Sequence, residues 1–368
     1  HDSQLKLKQS ALGGLFKRFA NIDSLPWQDS LTAHPWHYRR VARVGVWYDT
    51  KSQQFNVGFR QRNSKFITPI NECEVLVEAF ANLFSAFTEL LPQLKVGRSV
   101  THLEVCQADN ANVVVIRHTQ PLSKADVVKI NQLAQVNDYL LVSEYEKGQF
   151  TCLSQAVMPT LYYRLPGFSS GGGLDGQGQG LELTFRVDDF IQVNGQINQQ
   201  MIKQAIDWLA LSKSDHVLDL FCGIGNFSLP LATLCATVTG IEGVDGMVRQ
   251  ASHNARHNQL DNCTFLQADL AAPGRLHTGD QTHFNKILLD PARAGAEQVM
   301  ASIKPFKAQS IVYVSCEPLT LARDSAVLLK SGYQLTKIAL MDMFSQTRHV
   351  EVMALFEKSP VKTANKPH

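Results

Sequence analysis

No apolar run in this 368-residue sequence approaches the roughly 18 residues of a membrane-crossing helix, and its first residues lack the pattern of a signal peptide. Cysteine is sparse: Cys73, Cys106, Cys152, Cys222, Cys235, Cys263 and Cys316 are odd in number and form no Cys-x-x-Cys pair. That argues against a disulfide framework and a self-contained zinc site, and points to a soluble protein in a reducing, cytoplasmic compartment. Neither sign of charge dominates. With a net charge of +2, any nucleic-acid surface must come from local clustering of Arg and Lys. The 44% hydrophobic and 18% charged fractions are those of an ordered globular protein, long enough for two or three domains of about 150 residues.

Residues 1–35 read as a helical lead-in, and a start at His1 rather than Met suggests a fragment or a processed chain. Residues 36–184 read as a smaller α+β central domain. Tyr38 to Tyr48 and Phe55 to Arg60 form a strand pair, 74–95 a helix, Val100 to Cys106 and Val113 to His118 a second pair, Ser123 to Gln135 a helix and Tyr139 to Val142 a strand. The glycine-rich stretch 169–180 has no sheet-forming run and reads as a hairpin tip or loop. Residues 185–358 then alternate strand and helix. The helix around Met201 to Leu209 precedes strands His216 to Leu220, Val238 to Ile241, Thr264 to Gln267, Lys286 to Leu289 and Ile311 to Val314, with helices Val244 to His257 and Leu319 to Leu329. Gln334 to Leu340 and Val350 to Phe356 can finish the sheet as an antiparallel pair. The expected class is α/β, a doubly wound sheet, with a disordered tail at 359–368.

The first of these strands runs into Phe221-Cys222-Gly223-Ile224-Gly225-Asn226, a glycine turn at the sheet edge where such folds bind nucleotides. A Gly-x-Gly turn alone is also a common structural turn. Glu242 closes the next strand, where a carboxylate can accept from both hydroxyls of a ribose, and Asp269 closes the third, in reach of an adenine amino group. The third glycine of a dinucleotide-binding phosphate cradle is missing. A nucleoside without phosphates therefore fits better, and S-adenosylmethionine is one.

Asp290-Pro291-Ala292-Arg293 follows the fourth strand and Ser315-Cys316-Glu317-Pro318 the fifth, both at the same edge. Cys316 reads either as a small core residue or as a nucleophile. The N-terminus of the following helix would favour its thiolate, and the adjacent Glu317 would oppose it. Glu351 stands at the start of the last strand, where a carboxylate aimed into a sheet core calls for a functional reason.

The segments Asp189-Phe190-Ile191-Gln192-Val193-Asn194, the glycine turn, Leu289 to Gly295, Tyr313 to Cys316 with Thr320 to Asp324, and Gln346 to Glu351 stand in order along the chain. With them the sequence resembles the RNA uridine C5-methyltransferases, and among these the bacterial enzymes acting on 23S ribosomal RNA. The resemblance implies a class I S-adenosylmethionine-dependent methyltransferase domain, Cys316 as nucleophile and Glu351 as base. It places cofactor contacts at Gln192, Phe221, Gly223, Gly225, Asn226, Glu242, Asp269 and Asp290. Gln192, Asp290 and Arg293 are expected at the substrate, with Phe190 either stacking on the base or packing in the core. The chemistry needs such a pair independently: a thiolate adding at C6 makes C5 nucleophilic, and a base then removes the C5 proton.

The resemblance also implies a [4Fe–4S] cluster, with Cys73 as a single ligand whose three partners would precede His1, so this chain by itself is expected to hold none. The family's N-terminal RNA-binding β-barrel is likewise not in the chain, and Glu317 stands where Asn is expected. Rival readings are the same reaction on transfer RNA, a small-molecule methyltransferase, and a non-catalytic RNA-binding protein using Arg39, Arg40, Arg43, Arg60, Arg62 and Lys65. A monomer is expected.

Overall fold

The computed structural model describes residues 1–168, 180–272, 276–279 and 282–358. Residues 169–179 of the glycine-rich stretch and the tail 359–368, expected as a loop and a disordered end, lie outside the described residues. The chain divides into two compact units: His34–Tyr163 with Thr184–Gly195, and His1–Ala33 with Arg164–Leu183 and Gln196–His368.

Helix α1 (Asp2–Ala20) buries Leu12 and Phe16 and stops at Asn21, whose left-handed backbone (φ 55°) lets its N–H bond back to Phe16. The expected lead-in is thus no separate segment. It packs on the large sheet of its own unit, and the chain after it adds to that sheet through Trp27 beside Ile338 and Leu31 beside Met341.

The smaller unit is a seven-stranded sheet. In chain order come β1 (Val41–Asp49), β2 (Gln54–Arg60), β3 (Ile67–Pro69), β4 (Val100–Gln107), β5 (Asn112–His118), β6 (Tyr139–Glu144) and β7 (Phe150–Cys152), and in space β3-β2-β1-β4-β5-β6-β7. Alternation puts Val44, Val46, Leu103, Val105, Val114 and Ile116 on one face. Helices α2 (Leu83–Leu90) and α3 (Lys124–Asn137) bury Phe84, Phe87 and Ile130 against the same core. The β5–β6 pair is parallel, and α3 is the crossover that such a pair requires. Ser123 caps α3 in a reciprocal box with Asp126. The single helix expected over 74–95 is broken into a 3₁₀ turn, α2 and a second 3₁₀ turn at Leu91–Gln93, because Pro92 has no N–H to continue the ladder.

Strands β8 (Leu161–Leu165) and β9 (Leu181–Phe185) pair as a two-stranded ribbon. The remaining elements are α4 (Gly195–Leu209), β10 (His216–Leu220), α5 (Ser228–Ala232), β11 (Thr237–Glu242), α6 (Asp245–His257), β12 (Cys263–Gln267) and β13 (Lys286–Leu289). They continue with α7 (Glu297–Ile303), β14 (Ser310–Ser315), α8 (Pro318–Lys330), β15 (Tyr333–Met341) and β16 (Glu351–Lys358). The sheet order is β12-β11-β10-β13-β14-β16-β15. The first five strands run parallel, and β16 lies antiparallel between β14 and β15. This is the expected doubly wound α/β sheet with its antiparallel finish. The order reverses between β10 and β13, so the crevice for a ligand opens at their carboxyl ends. No helix among the described residues is long and apolar enough to cross a membrane.

Candidate active site

The glycine turn leaves β10 at that crevice. Phe221, Gly223 and Gly225 all have left-handed backbone, with φ of 64°, 55° and 96°. For Phe221 this is strained, since the left-handed region is open chiefly to glycine, and its ring packs on the core beneath the sheet edge. The two glycines serve different ends. A side chain on Gly225 would run into Leu229, whereas one on Gly223 would meet nothing within 4 Å, so the backbone at Gly223 borders open space.

Glu242, at the end of β11, faces the same turn. Its carboxylate accepts the Gly223 N–H (3.2 Å) on one oxygen and the Val244 N–H (3.0 Å) on the other. A carboxylate offers about four acceptor positions, so both oxygens keep capacity for a hydroxyl. Asp269 is exposed just beyond β12 and accepts from the Ala271 N–H at 2.9 Å. The Asn226 side chain exchanges two hydrogen bonds with Asn198 of α4, at 2.9 and 2.8 Å, and so ties that helix to the turn. Open backbone, ribose-type acceptors and the lack of a phosphate cradle together suit a nucleoside cofactor.

Sheet register assembles the chemical half. Ser315 lies opposite Val352, so the next residue on each strand, Cys316 and Glu351, face one another where the ladder opens. Leu289 lies between Leu220 and Tyr313, so Asp290 sits between the glycine turn and Cys316, its N–H on the Leu220 carbonyl (3.3 Å). Glu351 is buried. Burial, reinforced by Asp290, raises its carboxyl well above the ordinary value, and burial pushes Asp290 up to about 7. Cys316 is half-buried, and burial, then Glu351 and Asp290, push its thiol up to about 11 against the opposing field of Arg293. This corrects two expectations. The helix N-terminus, expected to favour the thiolate against Glu317, is outweighed by burial, and the carboxylates that oppose it are Glu351 and Asp290, while Glu317 precedes α8 with its N–H on the Ser315 hydroxyl (3.1 Å).

The sequence matches the family described as tRNA (Uracil-5-)-methyltransferase over residues 173–359. It is 42% identical over 355 residues to the 23S rRNA (uracil(1939)-C(5))-methyltransferase RlmD of Pseudoalteromonas translucida, covering 96% of this chain and 77% of that protein. The chain belongs to the RNA uracil-C5 methyltransferase family. The protein of the same name from Shewanella baltica is 41% identical over 354 residues, with the same coverage. Among solved structures, the Pyrococcus abyssi tRNA (uracil-54, C5)-methyltransferase in complex with S-adenosyl-L-homocysteine superimposes with a TM-score of 0.69. It is 19% identical, covers 97% of this chain and 83% of that one, and supports the fold.

This RNA uracil-C5 methyltransferase holds its site through residues to which the sequence lent no role. Asp324 of α8 is fully buried and accepts from the Ala296 N–H and the Tyr313 hydroxyl, both at 2.7 Å, and from Arg323 at 2.8 Å. Arg323 also donates to the Ala294 carbonyl (3.1 Å), and the Thr320 hydroxyl to that of Arg293 (3.4 Å), so α8 clamps the loop that follows Asp290. Gly295 (φ 78°) lies against Arg323, Asp324 and Thr320 with no room for a side chain. From α1, Lys8 pairs with Asp342 (3.3 Å) and Gln4 donates to Gln346 (2.9 Å), anchoring the loop before Glu351.

Other expected residues lie in the smaller unit. Gln192 accepts on its carbonyl from Arg40 (2.8 Å), and Phe190 is exposed rather than packed in a core. Arg40 itself is buried, its guanidinium 4.8 Å from the Tyr163 ring, so it does not belong to a basic face. Arg43 is paired with Glu104 at 3.3 Å. Cys73 is half-buried against the core of that unit, and no group of three or more His, Cys, Asp or Glu able to hold a metal ion occurs among the described residues. A four-thiolate cluster does not fit these residues.

Asp324→Ala is expected to lower stability by about 2–4 kcal/mol, because the buried Tyr313 hydroxyl and Ala296 N–H lose their acceptor. Urea unfolding with an unchanged midpoint would show that the clamp does not bear on stability.

Proposed function

We propose that the protein methylates C5 of a uridine in 23S ribosomal RNA from S-adenosylmethionine, with Cys316 as covalent nucleophile and Glu351 as base. The observation that carries this reading is the Cys316–Glu351 juxtaposition at the open end of β14 and β16, with Asp290 beside both. The names of the relatives at 42% and 41% identity support the ribosomal substrate.

S-adenosylmethionine supplies, when bound, a methyl group on a positively charged sulfur. Phe221, Gly223 and Gly225 form its backbone cradle, Glu242 its ribose acceptor, with Asn226, Asp269 and Gln192 as further contacts. Phe190, Gln192, Asp290 and Arg293 are assigned to the uracil. Because C5 of uracil is a weak nucleophile, the Cys316 sulfur must first add to C6, which leaves an enolate whose C5 can take the methyl group. Burial and the two carboxylates favour the thiol form of Cys316, so the proposed attack has its proton leave as the sulfur adds. Asp290, whose carboxyl burial raises toward neutrality and whose charge bears on Cys316, is the acceptor this reading assigns. A thiolate of raised pKa is also the stronger nucleophile once formed. The carboxylate of Glu351 then takes the C5 proton, and the C6–S bond breaks to restore the uracil ring. The target base must leave its stack to reach such a site.

Both halves of this mechanism can be trapped. Cys316→Ala is expected to abolish methylation and any enzyme–RNA adduct. Glu351→Gln is expected to methylate once and stay joined to the RNA, giving a methyl-labelled, shifted band on a denaturing gel; normal turnover would remove Glu351 as the base. 5-Fluorouridine at the target should trap the unaltered enzyme in the same way. Labelling of transfer RNA in place of ribosomal RNA would reassign the substrate and leave the chemistry.

The pH dependence has a definite sign. Asp290, Glu351 and Cys316 all have raised pKa values, so each is more protonated and less able to act as base or nucleophile near neutrality. The single-turnover rate should therefore climb from mildly acidic to mildly alkaline pH. A rate that falls across this range would contradict the assignment.

Glu242→Ala is expected to weaken S-adenosylmethionine binding by about 1.5–3 kcal/mol, the worth of hydrogen bonds to a charged acceptor. Calorimetry showing equal affinity would remove the ribose assignment.

A further inference from the structure

The smaller unit contains a groove of about 570 Å³, within the size range of small-ligand pockets. It opens between the β1–β2 hairpin and the chain that follows α2. Tyr48 and Phe55 stand in one wall with ring centroids 4.9 Å apart and planes tilted by 59°. Gln53 and Gln54 come from the turn, Lys95 and Arg98 from the opposite side, and no lining residue is acidic. Of the carboxylates nearby, Asp49 is turned to the Lys51 N–H and the Ser52 hydroxyl of its own turn, at 2.9 Å each, and Asp126 accepts the Lys95 backbone N–H at 2.7 Å. From Thr50 to Asn71 the chain has no Asp or Glu at all, while it carries Lys51, Arg60, Arg62 and Lys65.

Arg98 is the most informative group. Its guanidinium lies 4.1 Å from the centre of the Tyr48 ring and donates to the Tyr48 hydroxyl at 2.9 Å. A guanidinium has five N–H donors, so this contact fixes its plane and leaves others available to an anion. No ion pair joins Arg98 or Lys95 to a carboxylate among the described residues. The groove thus combines aromatic edges, two side-chain amides and two cations that form no ion pair among the described residues. A purine or pyrimidine ring, with hydrogen-bonding edges and a phosphate attached, matches each of these features.

We propose that this groove binds one nucleotide of single-stranded RNA, its base against Tyr48 and Phe55 and its phosphate on Lys95 and Arg98. The site rests on the reading of the protein as an RNA methyltransferase. All of its lining residues belong to the smaller unit, and none of them is assigned to the base that reacts. Gln53 and Gln54 would meet the base edge or the ribose 2′-hydroxyl, which gives the groove a means to prefer RNA over DNA.

The test measures binding of a fluorescent single-stranded RNA of about 12 nucleotides at several salt concentrations, alongside methyl transfer to ribosomal RNA by the same proteins. The Lys95→Gln, Arg98→Gln double variant should bind about tenfold or more weakly, with a salt slope reduced by roughly one to two. Since Arg98 also packs on Tyr48, Gln54→Glu provides a second variant: an exposed strand-end residue whose new carboxylate should repel the phosphate and weaken RNA while leaving thermal unfolding unchanged. Placing 4-thiouridine along the RNA should give a crosslink to Tyr48 or Phe55. Equal RNA affinity in both variants, or a wild-type protein that does not bind the RNA, would overturn the groove. If uridine monophosphate binds there as tightly as the RNA does, the occupant is a free nucleotide and the proposal fails. Methyl transfer by the wild type reports separately. Its absence, with groove-dependent RNA binding intact, would sink the methyltransferase reading and keep the groove, and the converse result would do the opposite.

Discussion

The insertion of β16 between β14 and β15 is the constraint on which the chemistry depends. Because strand side chains alternate faces, a slip of one residue would carry Glu351 away from Cys316. The apolar run Val352 to Phe356 is buried on both faces of the sheet, so close packing rather than alternation of polarity holds it, and its ladder with β14 sets Glu351 opposite Cys316. What remains is the loop before Glu351. There α1 contributes Lys8 and Gln4 from more than three hundred residues away, and so ties that helix to the frame of the proposed site.

Electrostatically the site works against its own stability. Asp219, Asp290 and Glu351 all have carboxyls raised by burial, with Asp219 and Asp290 each at about 7. A carboxyl whose folded value exceeds its unfolded one favours the fold while protonated and loses that advantage as pH rises from the unfolded value through the folded one. At neutral pH these groups therefore reduce stability, which the apolar layers on both sides of the sheet must offset. Asp219 shows the arrangement most clearly. One of its oxygens accepts from Ser228, and the other is buried without a partner. The same burial that costs stability raises the carboxyl of Glu351 and the thiol of Cys316.

Much of the sheet unit was legible because its parallel strands are short continuous apolar runs with glycine or acidic residues at their carboxyl ends. His216 to Leu220 and Lys286 to Leu289 fell where the sequence placed them. The order of the strands in space is not written in such runs, yet the site is made by that order. Propensity misled over 74–95, where apolar spacing suggested one helix and Pro92 divides it. Charge misled at Arg40, since nothing local reveals that a guanidinium will be buried over Tyr163. At Cys316, adjacency in sequence pointed to Glu317, whereas the field that matters comes from two carboxylates on other strands. The clamp by Asp324 was visible as a residue but not as a role, because its partners Tyr313 and Ala296 meet only in the folded unit.

The sheet unit is discontinuous: it begins with His1–Ala33, is interrupted by most of the smaller unit, and resumes through Arg164–Leu183 and from Gln196. During synthesis α1 emerges before the rest of the sheet unit, yet the surface it covers, α8 and the residues that follow β15, is made after the smaller unit. Until then its Leu12 and Phe16 have no native partner. The smaller unit has nearly all its strands in one continuous stretch and can condense while the ribosome is still translating. The later unit must close a loop across almost the whole chain before its core is complete, and contacts of such long range are slow to form. The nascent chain is therefore expected to pass through a stage in which the smaller unit is folded while Leu12 and Phe16 still lack the core that buries them.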